Sequence, residues 1–297
     1  MDVVADLLAE HWGLDGARLS PLAGGINSAA WLVTHRGVQY VAKQVGQDSV
    51  ADLARGCNVA TMLARSGFVT GCPIPTSASQ LLLTQHGLAL LEYVSGRELD
   101  GETAEDQLRM GETLAAIHAA GNPGPGPSSA TFMADWLDLS TPWVRDHDWL
   151  VRAIESVRAE TDTLSLTWTM LHTDPTPEAF VYDDSSGVTA LIDWAGAQRG
   201  PALYDVASAV MYLGGTDHAQ VFLTAYLSHS PSVAAEVRHL QAFRRFRGAI
   251  QGAYFARRLT TGDTTGSLDE ADNKRGLGDA RRQLEAHGSG ISSPNQP

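Results

Sequence analysis

The stretch from Leu171 to Asp205, LHTDPTPEAFVYDDSSGVTALIDWAGAQRGPALYD, restricts the fold more than any other part of this chain. Phe180-Val181-Tyr182 and Val188-Thr189-Ala190-Leu191-Ile192 are short strand-prone runs. Between them, Asp183-Asp184-Ser185-Ser186-Gly187 supplies turn-forming side chains and a glycine for positive φ. The pattern predicts a β-hairpin. In an antiparallel pair the entry of the first strand and the exit of the second lie at the same end, so the loop from His172 to Ala179 falls beside Asp193. Asp174 and Asp193 are therefore expected to converge on one spot.

Two carboxylates so placed suit phosphoryl transfer: one orients a hydroxyl and accepts its proton, while the other holds magnesium against nucleotide phosphates. The segment also resembles the catalytic segment of the aminoglycoside phosphotransferase family, whose fold is shared with protein kinases and choline kinases. That family carries His-Gly-Asp, four residues, an Asn, a hairpin ending in Ile-Asp-Trp or Ile-Asp-Phe, then Gly-Pro and Tyr-Asp. The matching residues here are His172-Thr173-Asp174, Ile192-Asp193-Trp194, Gly200-Pro201 and Tyr204-Asp205. The resemblance implies an α+β, two-lobed protein-kinase-like fold, with a small antiparallel-sheet N-lobe over 1–94 and a larger, mostly helical C-lobe over 95–288. It implies Asp174 as the catalytic base, Asp193 as the main metal ligand and Asp205 as a brace for the catalytic loop. ATP, or another nucleoside triphosphate, and Mg2+ are the implied cofactors.

Two positions depart from the family pattern. Where it has a metal-binding Asn, this chain has Ala179, flanked by Pro175, Pro177 and Glu178. A methyl group cannot ligate magnesium, which takes oxygen donors; Glu178, one position earlier, or water is left to supply that oxygen. The family's lysine-pairing Glu falls at or near Gly56-Cys57-Asn58, which holds no acid.

Ahead of these motifs, Asp2 to Trp12 has helical spacing at Val3, Val4, Leu7 and Leu8 and stops at Gly13. Ala30 to Val33 and Gln39 to Val45 read as strands around a turn at His35-Arg36-Gly37. In the family, the loop matching Gly24, Gly25, Asn27 and Ser28 covers the ATP phosphates, and the lysine matching Lys43 contacts them from the third strand. Without an acid on the following helix, Ser49 to Arg65, Lys43 is either held loosely or paired with Asp193. Gly56 predicts a kink in that helix. Leu81 to Thr84 and Leu88 to Val94 read as two strands, and the latter resembles the family hinge, where Glu92, Tyr93 and Val94 would bond the adenine edge.

Beyond Ser95 the periodicity turns helical, over Glu105 to Ala120, Ala202 to Leu213, Ala219 to Leu227 and Val233 to Leu259. His118 reads as a packed or capping histidine. Trp136, Trp143 and Trp149 among Asp135, Asp138, Asp146 and Asp148 admit two readings, helix packing or a wall for a cationic or sugar-like substrate. Arg238, Arg244, Arg245, Arg247, Arg257 and Arg258 form a basic cluster, either a solvated face or a receptor for an acidic or phosphorylated substrate. The polar end, 289–297, is expected to be disordered.

At 297 residues, 43% of them apolar, the chain can bury a large core, and a net charge of −13 disfavours nucleic acid and anionic membrane as partners. An acidic start and no long apolar run point to the cytoplasm, where Cys57 and Cys72 would be free thiols. Two functions follow. One is an ATP-dependent phosphotransferase acting on a hydroxyl of a small molecule, either an antibiotic or a biosynthetic intermediate. The other is a catalytically weakened kinase-like binding protein, or a subunit that phosphorylates Ser or Thr of a peptide substrate in natural-product peptide maturation.

Overall fold

Helix α1 (Asp2–Trp12) leads into an antiparallel sheet of β1 (Arg18–Leu22), β2 (Ser28–His35), β3 (Val38–Val45) and β4 (Leu88–Glu92), with α2 (Val50–Arg65) between the last two. The computed structural model describes residues 2–22, 27–264 and 266–288. The expected tail at 289–297 lies outside them. Strands β2 and β3 are joined by Arg36 and Gly37, both at positive φ (49° and 81°), the two-residue turn whose twist matches the strands it joins. Alternation along β3 sends Ala42 into a core with Val4, Leu7 and Leu8 of α1, and Val45 into one with Leu53 and Cys57 of α2. Lys43, odd-numbered like Val45, takes the α2 side.

The chain then enters a mostly helical region. Here β5 (Arg97–Glu98) is followed by α3 (Ala104–Ala120), β6 (Gly124–Pro125), α4 (Pro142–Arg145), α5 (Asp148–Thr161) and β7 (Thr167–Leu171). The hairpin is β8 (Phe180–Asp183) and β9 (Val188–Leu191), in register Phe180↔Leu191 through Asp183↔Val188. Its turn is held by Asp183, whose carboxylate accepts from Ser185 N, Ser185 Oγ and Ser186 Oγ. Strand β10 (Gln198–Pro201) pairs with β7, and β5 pairs with β8, which ties the segment after β4 to the hairpin. Helices α6 (Ala202–Tyr212), α7 (Gln220–Ser228), α8 (Pro231–Glu236), α9 (Leu240–Thr261) and α10 (Glu270–Gly288) complete it. Helix α6 is buried almost all round, and α9 packs against α5, α6 and α10. Among the described residues no helix is long and apolar enough to cross a membrane.

Three expectations need correction. Leu81 to Thr84 forms no strand; only Leu83 makes an isolated bridge to Leu88, because the chain turns back at Gly87 (φ 58°) too soon for a ladder. The helix expected over Val233 to Leu259 is two helices, divided by a 3-10 turn at Val237–His239. Finally, α2 runs through Gly56 without a break.

Candidate active site

The loop after β7 is built around one buried carboxylate. Asp205 of α6 has no solvent exposure; its two oxygens accept from the backbone N–H groups of His172 (2.7 Å) and Thr173 (2.8 Å). A third contact joins it to His118 Nε2 at 3.1 Å, and His118 Nδ1 meets the Tyr226 hydroxyl at 2.7 Å. Burying a carboxylate costs several kcal/mol unless donors replace its water, and here they do. His118 therefore belongs to the support of this loop. Thr173 stands where the family has glycine and takes φ 76°, strained for a β-branched residue. Its side chain fits because residue 196 is glycine: a Cβ there would meet Thr173 Oγ1 at 2.3 Å.

Two hydrogen bonds then lay this loop against the end of the hairpin. His172 Nε2 donates to Ile192 O (2.8 Å), and Ile192 N–H donates to Ala179 O (2.9 Å). The residues just ahead of Asp174 and of Asp193 are thereby joined. Asp193 takes φ 67°, in the left-handed region, as the chain passes into the 3-10 turn Trp194–Gly196.

That turn explains the missing helix acid. A Cβ on Gly56 would lie 2.2 Å from Trp194 O and 2.9 Å from Ala195 Cα, so α2 and the turn touch backbone to backbone within the 56–58 stretch at or near which the family Glu is expected. Arg55 Nε donates to Ala197 O (2.7 Å) beside this contact. Lys43 instead forms an ion pair with Asp193 Oδ1, the second of the two arrangements considered above. Confinement in the cleft raises the Asp193 carboxyl, but the charge and hydrogen bond of Lys43, helped by His172 and the Ala195 N–H, outweigh it and hold the group below its ordinary value. Cys57, the next residue on α2, is pushed up to about 11 chiefly by burial, so it is an inert thiol at neutral pH.

Asp174 is held by different elements. Its Oδ1 accepts from the Tyr212 hydroxyl at the end of α6 and from Arg247 Nη2 of α9 (3.0 Å), and Arg247 Nη2 also donates to Tyr212 Oη (3.0 Å). Burial raises the Tyr212 hydroxyl above its ordinary value against the pull of Arg247, so it stays a donor. Burial opposes the Arg247 charge, but the facing oxygens of Tyr212, Tyr204 and Asp174 more than restore it.

Among the remaining expected residues, Gly24 and Gly25 lie outside the described residues. Asn27 accepts through Oδ1 from the Tyr254 hydroxyl (2.6 Å) and Arg258 Nη1 (3.1 Å), which ties the start of β2 to α9. Ser28 is buried opposite Val45 at that start. Glu92 ends β4, its N–H donating to Cys72 O (2.9 Å), and Tyr93 and Val94 follow in the connection to β5. Gly71 (φ 63°) has room for close approach there: its Cβ position is 3.6 Å from both Glu92 O and Ile192 Cγ2. Glu178 is exposed on the 3-10 turn Pro177–Ala179 and makes no hydrogen bond or ion pair among the described residues.

Magnesium is characteristically held by one or two carboxylates, substrate phosphates and water. Among the described residues no three His, Cys, Asp or Glu side chains cluster to hold a metal. The donor set fits an ion held by Asp193 and the nucleotide's own oxygens.

The basic cluster separates by function. Arg247 and Arg258 turn inward, Arg245 pairs with Glu160, and Arg257 lies over the rings of Trp136 (5.4 Å) and Trp143 (6.0 Å). All three tryptophans pack against the core, and the faces of Trp136 and Trp143 are taken by the chain's own cation. Tyr212 and Tyr254 were not singled out in the sequence, and Arg247 and Arg258 stood out only as members of the basic cluster. The available signal was the three-and-four spacing of 247, 251, 254 and 258, which marks one helix face.

The residue pattern describing the phosphotransferase enzyme family matches residues 18–245. A homoserine kinase from Methylobacillus flagellatus is 27% identical over 200 residues, covering 65% of this chain and 62% of that relative, so the chain spans less than two thirds of its length. Choline kinase LicA from Streptococcus pneumoniae superposes with a TM-score of 0.72 at 16% identity, over 96% of this chain and 98% of that one. A spectinomycin phosphotransferase, solved in complex with ADP and spectinomycin, gives 0.64 at 13% identity over 97% and 98%. These two likenesses establish the kinase-like fold.

Proposed function

Because this chain belongs to the phosphotransferase enzyme family, we propose that it moves the γ-phosphoryl group of ATP, with magnesium, onto a hydroxyl of a small molecule. The observation that carries this reading is the pair of carboxylates beside the joined ends of loop and hairpin, each exposed and each facing a cation from a different element. Asp174 accepts the hydroxyl proton as the acceptor oxygen bonds to the γ-phosphorus. The bond from that phosphorus to the β,γ-bridging oxygen breaks, and ADP leaves with the electron pair. Asp193 would hold magnesium, which when bound would neutralise charge on the phosphates, and Lys43 serves the same phosphates from β3. Asn27, at the start of β2, and Glu92 to Val94, after β4, are assigned to the phosphate and adenine ends of the nucleotide. The homoserine kinase and spectinomycin phosphotransferase relatives support a small-molecule alcohol as acceptor, and the ADP complex of the latter supports nucleotide use.

Calorimetric titration with ATP tests the reading: binding that requires magnesium and is lost in Asp193→Asn is expected, and no heat with either wild type or magnesium would end it. Ala179, at the family's metal-binding position, favours a second reading, a weakened kinase-like protein that binds a partner or acts on a peptide. A large gain in phosphoryl transfer in Ala179→Asn would mark a kinase scaffold limited at its metal site.

A further inference from the structure

The inward face of α9 runs from the proposed base to Asn27, just ahead of β2. Arg247, Gln251, Tyr254 and Arg258 recur at intervals of four, three and four and therefore share a face. Arg247 bonds Asp174 at one end, and Tyr254 and Arg258 bond Asn27 at the other. Between those anchors two buried polar atoms have no hydrogen-bond partner among the described residues: Arg247 Nε and Gln251 Oε1. An unpaired buried polar group calls for an explanation, and a catalytic role is one of the recognised ones.

Arg247 is the more informative of the two. Its side chain is 11% exposed, and its contacts to Asp174 and Tyr212 are both made by Nη2. Holding Asp174 in place therefore occupies one corner of a planar fork with five donors. A hydroxyl about to lose its proton must come within about 2.6–3.2 Å of the base, and Nη2 is 3.0 Å from Oδ1 of that base. Substituents a few bonds from that hydroxyl thus lie within reach of the guanidinium. Such a fork, largely shielded from water, favours a planar carboxylate and repels an ammonium group.

We infer that the acceptor carries a carboxylate a few bonds from its reactive hydroxyl, and that Arg247 is the specificity-determining residue that receives it. The acid meets the cation while the hydroxyl faces Asp174, so the guanidinium lies between two negative groups. This inference rests on the phosphotransferase reading.

Matched acceptor pairs test it: 4-hydroxybutyrate against 1,4-butanediol and L-homoserine against L-homoserine amide, with choline and spectinomycin as cationic acceptors, in an ADP-release assay on the full chain. The expected result is a kcat/KM at least tenfold higher for the carboxylate member of each pair. That ratio should collapse toward one in Arg247→Met and recover in part in Arg247→Lys, whatever the overall loss in kcat. Melting curves establish that both variants fold. Equal losses for both members of a pair would reduce Arg247 to positioning Asp174 and overturn the inference. So would transfer only to choline, spectinomycin or the neutral alcohols, or no transfer to either carboxylate, by protein that binds magnesium-ATP. Protein that binds no magnesium-ATP defeats the phosphotransferase reading itself, a separate outcome.

Discussion

Asp174 and Asp193 are nearly equal in exposure, 55% and 57% of their side chains, yet they are held in different ways. Asp193 reaches across to a lysine of the antiparallel sheet, and the turn that follows it is pressed against α2 at Gly56. Asp174 stays within the helical part, fixed by Tyr212 of α6 and by Arg247 of α9, with Asp205 under the loop that carries it. The first arrangement joins two regions through one ion pair between a strand and a turn. The second is a network inside one region, in which Arg247 and Asp205 are buried and Tyr212 is partly exposed. Under the proposed roles, a base that meets a hydroxyl benefits from rigidity, whereas an acid that takes up a metal must be able to release its lysine.

The comparison breaks most visibly at Asp174. Asp174→Asn keeps an acceptor for Tyr212 and Arg247, so the melting temperature should hardly move while kcat falls by roughly 10²–10⁴-fold, the usual contribution of a general base. A steady-state assay with any accepted alcohol reads it, and an unchanged kcat would remove Asp174 from the mechanism. Next in size is Asp205→Ala, which strands two backbone N–H groups and His118 in the interior. Loss of a buried charged partner costs about 3–5 kcal/mol, seen as a lower urea midpoint. A loss below 1 kcal/mol would show that the loop is held otherwise.

The Asp193 side should respond through packing. Gly56→Ala places a methyl 2.2 Å from Trp194 O, an overpacking expected to cost about 1–3 kcal/mol. Gly56→Glu, the family-like change, should be worse and should not supply Lys43 with its acid. Smallest is the ion pair itself. Because the Asp193 carboxyl is depressed in the folded protein, its stabilisation is present above the unfolded carboxyl value and fades as the pH falls through the folded one. The stability difference between wild type and Lys43→Met should therefore be largest near neutral pH and shrink below about pH 4. For so exposed an acid it should stay at or below about 1 kcal/mol, measured as urea midpoints against pH; a difference that grew on acidification would reverse the assignment.

Much of this geometry was legible in the residues. The Phe180 to Ile192 hairpin, the antiparallel sheet holding Lys43, the glycine turn at Arg36-Gly37 and α1, α2, α3 and α6 all follow from period-two or period-3.6 patterns bounded by turn residues. Their signals are local, so the sequence alone carried them, along with the family. Lys43 was left with two possible arrangements by the absence of an acid at 56–58. Only folding chose between them, because the choice depends on the Trp194 to Gly196 turn meeting Gly56, a contact between distant segments.

The same limit explains α9. Spacing puts Arg247 and Arg258 on one face of the helix, but nothing local says that this face turns inward while Arg245 and Arg257 meet Glu160 and two tryptophans. Sequence determined that a helix here would be basic and that two carboxylates would flank a hairpin. Tertiary structure decided which guanidinium faces which carboxylate, because a side chain's electrostatic partners are set by what the rest of the chain packs against its helix, and no periodicity encodes that.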